Sequence, residues 1–514
     1  MKDMEKQPSI DVVLEDLPLQ RLVGEGVSQA VVEGEVALPG GLRDETRVLC
    51  SEAMAVLDRS TVENGRVLLD GKVTFHVLYT QGDPTRVSTL EAGADFSHTA
   101  DVSGAQSGMS APVTLMVEHV EASAQGGRLH LMAILRVQTR VFTSDPLPVV
   151  TGVRGTDGLM TRSETLRSVR TVGFGSQEVL VRDECELGSA LQITDTLYAT
   201  AAASVQDVSG GEGRATLSGS IALEVTHLSD MPSRPLVITR HTIPFEETVI
   251  ISGEGGDELC CSASVRDVAV LSQEGTQEGE RTLRAEVLLG LRAESTRSRD
   301  ICLLLDAYTT QGDVLALETQ PVRRATQSRQ LHTAESGKMT LMLDGQLPVR
   351  TPIKATLRPV MTDWSQNGGK TSVEGMMEVT LLYMTDDDPA PQVFRTEEPF
   401  RTVFACEPSL PDSMLLTATN IDPLTITSDR VELKYILHLD CADVQLETRP
   451  LVTQVSARPA EAEEPGILLC FSQPGETIWD LAKRYRVSSD SLRRMNPALQ
   501  DGAAEGQRVI LWKR

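Results

Sequence analysis

Three ten-residue stretches of this chain carry one pattern: DGKVTFHVLY at Asp70–Tyr79, SGSIALEVTH at Ser218–His227 and EGMMEVTLLY at Glu374–Tyr383. Counted from the glycine, positions plus two, four and six hold Val73, Phe75 and Val77, then Ile221, Leu223 and Val225, then Met377, Val379 and Leu381. Positions plus three and five hold mostly polar or small residues: Thr74 and His76, Ala222 and Glu224, Glu378 and Thr380. A period of two belongs to a strand with one buried face. The Gly-rich turns ENGR, GGEGR and QNGGK that precede the copies make each the second strand of a hairpin.

The frame around these strands repeats as well. Gly71 and Gly219 are 148 residues apart, and Gly219 and Gly375 are 156 apart. Phe96, Phe245 and Phe400 follow their glycines by 25, 26 and 25 residues. A second alternating stretch opens at Leu129, Leu283 and Val431, which lie 58, 64 and 56 residues after the same glycines. Four markers recurring in order predict three β-rich units of about 150 residues, each an antiparallel sandwich or small barrel. The chain therefore reads as mainly β, with units at 1–150, 151–305 and 306–455. SETLRSVRTV, at 163–172, leaves a helix open.

Composition narrows the function. Of 514 residues, 40% are hydrophobic and only 4% aromatic, so the cores are aliphatic. The net charge of −25 opposes nonspecific binding to nucleic acid and docking on an anionic membrane. The N-terminal sequence shows no signal-peptide pattern and no stretch has the length of a membrane span, so the expected compartment is the cytosol. Eight scattered cysteines form no C-x-x-C pair, which predicts buried reduced thiols rather than a metal site. The acidic run Asp386–Asp388 reads as a solvated hairpin loop. No nucleophile elbow, H-E-x-x-H or Walker loop is present. The expectation is a protein without catalytic activity, cofactor or metal.

The last part differs from the rest. Ser456–Gly466 (SARPAEAEEPG) has the composition of a linker, and 467–514 follows as a compact module. Its order reads β-α-α-β. The apolar run ILLCFS is a strand, and Pro474–Gly475 forms a tight turn. Thr477 caps a helix, with Asp480 three residues on as a capping-box variant. Ile478, Leu481, Ala482 and Tyr485 share that helix's buried face. Ser488 caps a second helix, with Val487 stapled to Leu492, and QRVILW is the closing strand. From Ile467 onward eight Lys or Arg oppose five Asp or Glu, a net +3, so the remaining chain carries −28. A module of opposite sign is drawn either to the body itself or to an acidic partner. Lys483, Arg484 and Arg486 read most simply as a solvated helix face.

Two resemblances follow. VLDRSTVENGRVLLDGKVTFHVLY…DFSHTADV resembles the SPOCS domain of spore-forming Firmicutes, as do SVQDVSGGEGRATLSGSIALEVTHLS…IPFEETVIISG and, more divergently, MTDWSQNGGKTSVEGMMEVTLLY…EPFRTVF. PGETIWDLAKRYRVSSDSL with MNPALQDG…GQRVILW resembles the LysM domain, departing from it at Cys470 and Trp512 in the strands. LysM domains bind N-acetylglucosamine-containing glycans between two loops, which here are Gln473–Thr477 and Asn496–Gln500. The resemblance thus implies a binding site at Gln473, Pro474, Gly475, Glu476, Thr477, Asn496, Pro497 and Leu499. These residues also suffice as turns and caps, and neither loop holds an aromatic residue.

Chains that join SPOCS units to one LysM resemble proteins that attach the spore coat at the forespore surface, in the mother-cell cytosol. Their LysM module binds a protein, the basal coat ATPase. The implied function is a non-catalytic sporulation adaptor. A peptidoglycan-binding wall or cortex protein is the alternative, and a wall hydrolase or its regulator a third.

Overall fold

The computed structural model describes residues 10–38, 46–125, 128–188, 191–211, 213–231, 233–274, 281–409, 414–460, 466–499 and 506–513. Each unit is a sandwich of two antiparallel sheets with three long strands in each, and the second sheets of the first and third units pair at Arg21 and Arg324 into one six-stranded sheet. In the first unit one sheet holds Arg47–Glu63, Arg66–Gln81 and Asp83–Asp101. The other holds Val113–Gln125, Arg128–Thr143 and Arg21–Val36. The second unit repeats this with Ile193–Gly211, Arg214–Ser229 and Leu236–Ile250 against Glu258–Glu274, Arg281–Thr309 and Leu159–Leu187. The third has Thr351–Asn367, Lys370–Met384 and Gln392–Phe404 against Met414–Thr427, Arg430–Arg458 and Val314–Met342. The chain is mainly β, as its periodicity indicates.

The repeated strand is central in its sheet. Its residues at plus two, four and six are buried in all three copies and pack on the second alternating stretch: Leu129, Leu131 and Ala133, then Leu283, Ala285 and Val287, then Val431, Leu433 and Tyr435. The Gly–Phe spacing has a direct cause. Gly71, Gly219 and Gly375 stand opposite Phe96, Phe245 and Phe400 on the neighbouring strand. A Cβ on these glycines would lie 2.8, 2.7 and 2.9 Å from the facing phenyl ring. It would also lie 2.3, 2.1 and 2.1 Å from the carbonyl oxygens of Val56, Ser204 and Val360. A bulge on the preceding strand, at Leu57/Arg59, Val205/Asp207 and Met361/Asp363, brings each carbonyl to its glycine.

Two pairs of 29-residue strands outrun their sandwiches. Leu159–Leu187 pairs with Arg281–Thr309, and Val314–Met342 with Arg430–Arg458. Their far halves join a third ribbon, Asp11–Leu17 with Leu147–Arg154. The three ribbons share an apolar seam of Leu17, Leu147, Val149, Leu166, Ile301, Leu303, Val322 and Leu451, continued by Val150, Val153, Leu304, Ala307, Leu315 and Val452. SETLRSVRTV is strand within this stalk, not helix. Pairing with residues 296–304 and burial of Leu166 and Val169 between ribbons decide its conformation. Ser456–Arg458 also pair as strand, opposite Val314–Ala316, so regular structure enters the stretch that reads as a linker; 461–465 lie outside the described residues.

The sandwiches meet in a closed ring. Arg266 of the second unit reaches Asp58 of the first at 2.7 Å, His119 of the first reaches Glu378 of the third at 3.3 Å, and Arg240 of the second donates to the Ile421 carbonyl of the third. An apolar junction of Leu49, Leu78, Leu236, Ile353 and Leu382 draws on all three units. This is the geometry of a heterologous interface that closes on itself after three steps, within one chain.

Ring closure corrects one reading. His76, on the polar phase of its strand, is buried and stacks on Tyr198 of the second unit at 5.1 Å. The second face of the strand is covered by a neighbouring unit, which period-two alternation within one strand does not report. The cysteines are all free thiols, but only Cys50, Cys261, Cys441 and Cys470 are buried; Cys185, Cys260 and Cys406 are half-buried and Cys302 is exposed.

Candidate functional site

The C-terminal module has the expected β-α-α-β order: Gly466–Phe471, Ile478–Tyr485, Ser489–Met495 and Arg508–Lys513. Both helix starts follow from the sequence. The Thr477 hydroxyl accepts from the Asp480 amide at 3.2 Å, and the Asp480 carboxylate accepts from the Thr477 amide at 3.0 Å. Bonding to Thr477 also lowers the Asp480 pKa. Ser488 accepts from the Ser491 amide at 3.1 Å. Ile478, Leu481, Ala482, Val487, Leu492, Leu499, Val509 and Leu511 form the core.

The first loop is shaped by Glu476. Its carboxylate accepts from the Gln473 amide at 2.9 Å and pairs with Arg484 at 3.1 Å, while Gly475 takes φ +72°. The second loop is shaped by Asn496. Its side-chain amide donates to the carbonyls of Leu492 and Ile510 and accepts from the Ile510 amide at 2.8 Å. Gln507 joins the two loops: its amide donates to Ser472 Oγ at 3.1 Å and its side chain to the Ala498 carbonyl at 3.3 Å. Of the eight residues singled out from the sequence, Gln473, Pro474, Gly475 and Pro497 are exposed. Thr477 and Asn496 are half-buried with their side chains engaged in cap and clamp, and Leu499 is in the core. The surface these loops offer is one of backbone groups and small side chains.

The module is docked on the stalk. Asp306, near the end of the ribbon that pairs Arg281–Thr309 with Leu159–Leu187, accepts from the Trp479 indole at 2.8 Å and from Lys483 at 2.6 Å. Tyr308 donates to the Val487 carbonyl at 2.9 Å and meets Trp479 edge to face at 4.9 Å. Arg486, left-handed at φ 55°, donates to the carbonyls of Thr309 and Gly312 at 3.1 and 2.6 Å. Lys483 and Arg486 therefore face the body, not solvent. The signal was present in the spacing 479, 483 and 486, which places an aromatic and two cations on one helix face. Its acceptor, Asp306, lies more than 170 residues away and carries no motif.

A second concentration of ionisable groups lies where the three units meet. Cys50, Tyr198 and Lys354 each precede their unit's glycine by 21 residues and occupy one register position, opposite Leu78, Thr226 and Leu382. Lys354 Nζ is 3.2 Å from Glu52 and 3.4 Å from Glu224, and 4.9 Å above the Tyr198 ring. The Tyr198 hydroxyl donates to Glu52 at 2.5 Å. Burial opposes charge on Lys354, but Glu52, Tyr198 and Glu224 hold its pKa well above the ordinary value. Burial also pushes the Cys50 thiol up to about 12, which keeps it protonated and unreactive. Paired charges sealed in this way tie units together. Among the described residues, no group of three or more His, Cys, Asp or Glu is arranged to hold a metal ion.

The polar cleft between the two long ribbons, lined by Glu164, Arg167, Arg324, Glu447 and Arg449, is likewise neutralised. Arg324 and Arg449 both pair with Glu447, and Arg449 also with Glu164 at 2.7 Å.

The fold defines a β scaffold that carries one small βααβ module, and among the described residues no helix is long and apolar enough to cross a membrane. Residues 46–125 match the family model described as SipL, SPOCS domain, and residues 473–511 match that of the LysM domain. The chain combines a SPOCS domain with a C-terminal LysM domain, and is a sporulation-related protein with a module of the peptidoglycan-binding type. No curated protein and no solved structure matches it. The SPOCS match spans the first unit's Gly–Phe sheet and the first strand of its partner sheet.

Proposed function

We propose that this protein is a non-catalytic adaptor of spore assembly. All three sandwiches act as SPOCS-like scaffold units. The LysM module recognises a morphogenetic protein of the coat, the basal coat ATPase, at the forespore surface. The observation that carries this reading is the docking of Trp479, Lys483 and Arg486 on Asp306 and its neighbours, which holds the module at a set orientation on a large scaffold. A fixed recognition element suits the joining of two protein layers, because less freedom is lost on binding. The lack of any aromatic residue in either loop supports a protein ligand over a sugar ring.

Two measurements test it. A fluorescent fusion of the full chain in sporulating cells is expected to encircle the forespore, and the same fusion lacking 466–514 to lose that pattern. Titration of the full chain with N-acetylglucosamine oligomers is expected to show no micromolar binding. Micromolar glycan binding together with unchanged localisation of the truncated fusion contradicts the proposal and favours a peptidoglycan-binding wall or cortex protein.

A further inference from the structure

The two strands of the LysM module pair Ile467 with Trp512, Leu469 with Ile510 and Phe471 with Arg508. Directly opposed residues share a face, so these six side chains lie on one side of the sheet. The helices cover the other side, where Cys470, Val509 and Leu511 are buried. Ile467, Leu469, Phe471 and Trp512 are 71, 52, 59 and 54% exposed. Docking on the stalk uses the first helix and leaves this face open among the described residues. Isolated exposed apolar residues are ordinary, but four large ones contiguous on a six-residue ribbon mark an interaction surface.

We infer that the outer face of this two-stranded sheet docks an acidic, apolar-anchored segment of a protein partner. The inference rests on the protein-recognition reading above and assigns it a surface distinct from the two loops. Charge selects the occupant. Neither strand contains an acidic residue; Arg508 lies on the face, and Arg484, itself paired with Glu476, donates to the Phe471 carbonyl beside it. A second copy of the same face would set these cations against each other. An anionic bilayer would be drawn against a chain whose remainder carries −28. A segment with apolar residues for Ile467, Leu469, Phe471 and Trp512 and carboxylates for the basic rim satisfies both terms.

The test selects random twelve-residue peptides displayed on phage against the full chain, then titrates the winning peptide in synthetic form. The winners are expected to interleave apolar residues with Asp or Glu, and to bind less tightly at high salt. Phe471→Ser and Trp512→Ser are each expected to weaken binding by about thirtyfold, the scale of an aromatic anchor. Arg508→Glu is expected to weaken binding too, while Pro497→Ser leaves it unchanged. The exposed positions of these residues keep the variants folded, checked by circular dichroism. Equal binding to the Phe471→Ser and Trp512→Ser chains overturns the inference. If Pro497→Ser abolishes that binding, the loops take its place and the protein-recognition reading stands. Sedimentation as a dimer that Phe471→Ser dissociates overturns it in favour of a second copy. Flotation with phosphatidylglycerol vesicles, lost in Trp512→Ser, overturns it in favour of a membrane. Binding of N-acetylglucosamine oligomers alone, with no peptide selected, overturns it together with the protein-recognition reading.

Discussion

Lys354 of the third unit lies 3.2 Å from Glu52 of the first, across the contact that closes the ring. Tyr198 and Glu224 of the second unit complete the group, so one ammonium joins all three sandwiches. Lys354 is almost fully buried, and its removal leaves Glu52 without its cation and Glu224 with Arg240 alone, at 3.0 Å. Lys354→Ala is expected to cost about 3–5 kcal/mol, read as a fall in the denaturant midpoint, the range for breaking a buried pair from one side. The double variant Lys354→Met with Glu52→Gln is expected to recover part of that loss. Burial raises the Glu52 pKa, but Lys354 and Tyr198 outweigh it and hold the carboxyl below its ordinary value. Its contribution is therefore present above the unfolded carboxyl value, about 4.3, and is lost as pH falls through the lower folded value. The difference between wild type and variant is expected to shrink on acidification.

His227 gives a separate pH dependence. It is fully buried between Thr196 and Thr239, and burial, with His241 and Arg281 nearby, lowers its pKa to about 4. The unfolded chain takes up this proton near pH 6.5 and the folded chain only near 4. Stability is expected to decline from about pH 6.5 toward 4, with the full loss present below. Tyr79 and Tyr383 occupy the matching position, eight residues after their glycines. His227→Tyr is expected to flatten the midpoint-against-pH curve over that interval; an unchanged slope would assign it to another group.

The glycines of the repeated strand tolerate no side chain. In Gly219→Ala the new methyl would meet the Ser204 carbonyl at 2.1 Å and the Phe245 ring at 2.7 Å. Either the bulge or the ring must shift, at a cost of about 1–3 kcal/mol. Gly65→Ala, in a turn with open space, involves only the positive φ of 79° and is expected to cost less. Thermal midpoints of the two variants check the order.

The repeat was legible because each unit solves its core locally. Val73, Phe75 and Val77 reveal their burial by alternation, and Gly71 with Phe96 records a cross-strand pair as a spacing. Thr477, Asp480 and Ser488 were legible as caps for the same reason. What escaped was every contact between units. His76 and Lys354 are polar residues on strand faces that become interior only when the ring closes. The ribbons escaped too, because residues 159–172 bury Leu166 and Val169 against other ribbons and show no clean alternation of their own. At the LysM loops, Asn496 was legible as a residue of consequence, but its three bonds to the backbone make it a clamp between helix and strand.

The central claim is that the LysM module is seated on the scaffold through Asp306 rather than tethered beside it. A double-mutant cycle on the full chain, with Asp306→Ala and Lys483→Ala singly and together, tests this most directly. The readout is the unfolding midpoint of the module. Residues that share an ion pair at 2.6 Å are expected to show a coupling energy of about 0.5–3 kcal/mol. Additive effects, within about 0.3 kcal/mol, would mean that the module does not rest on Asp306 in solution.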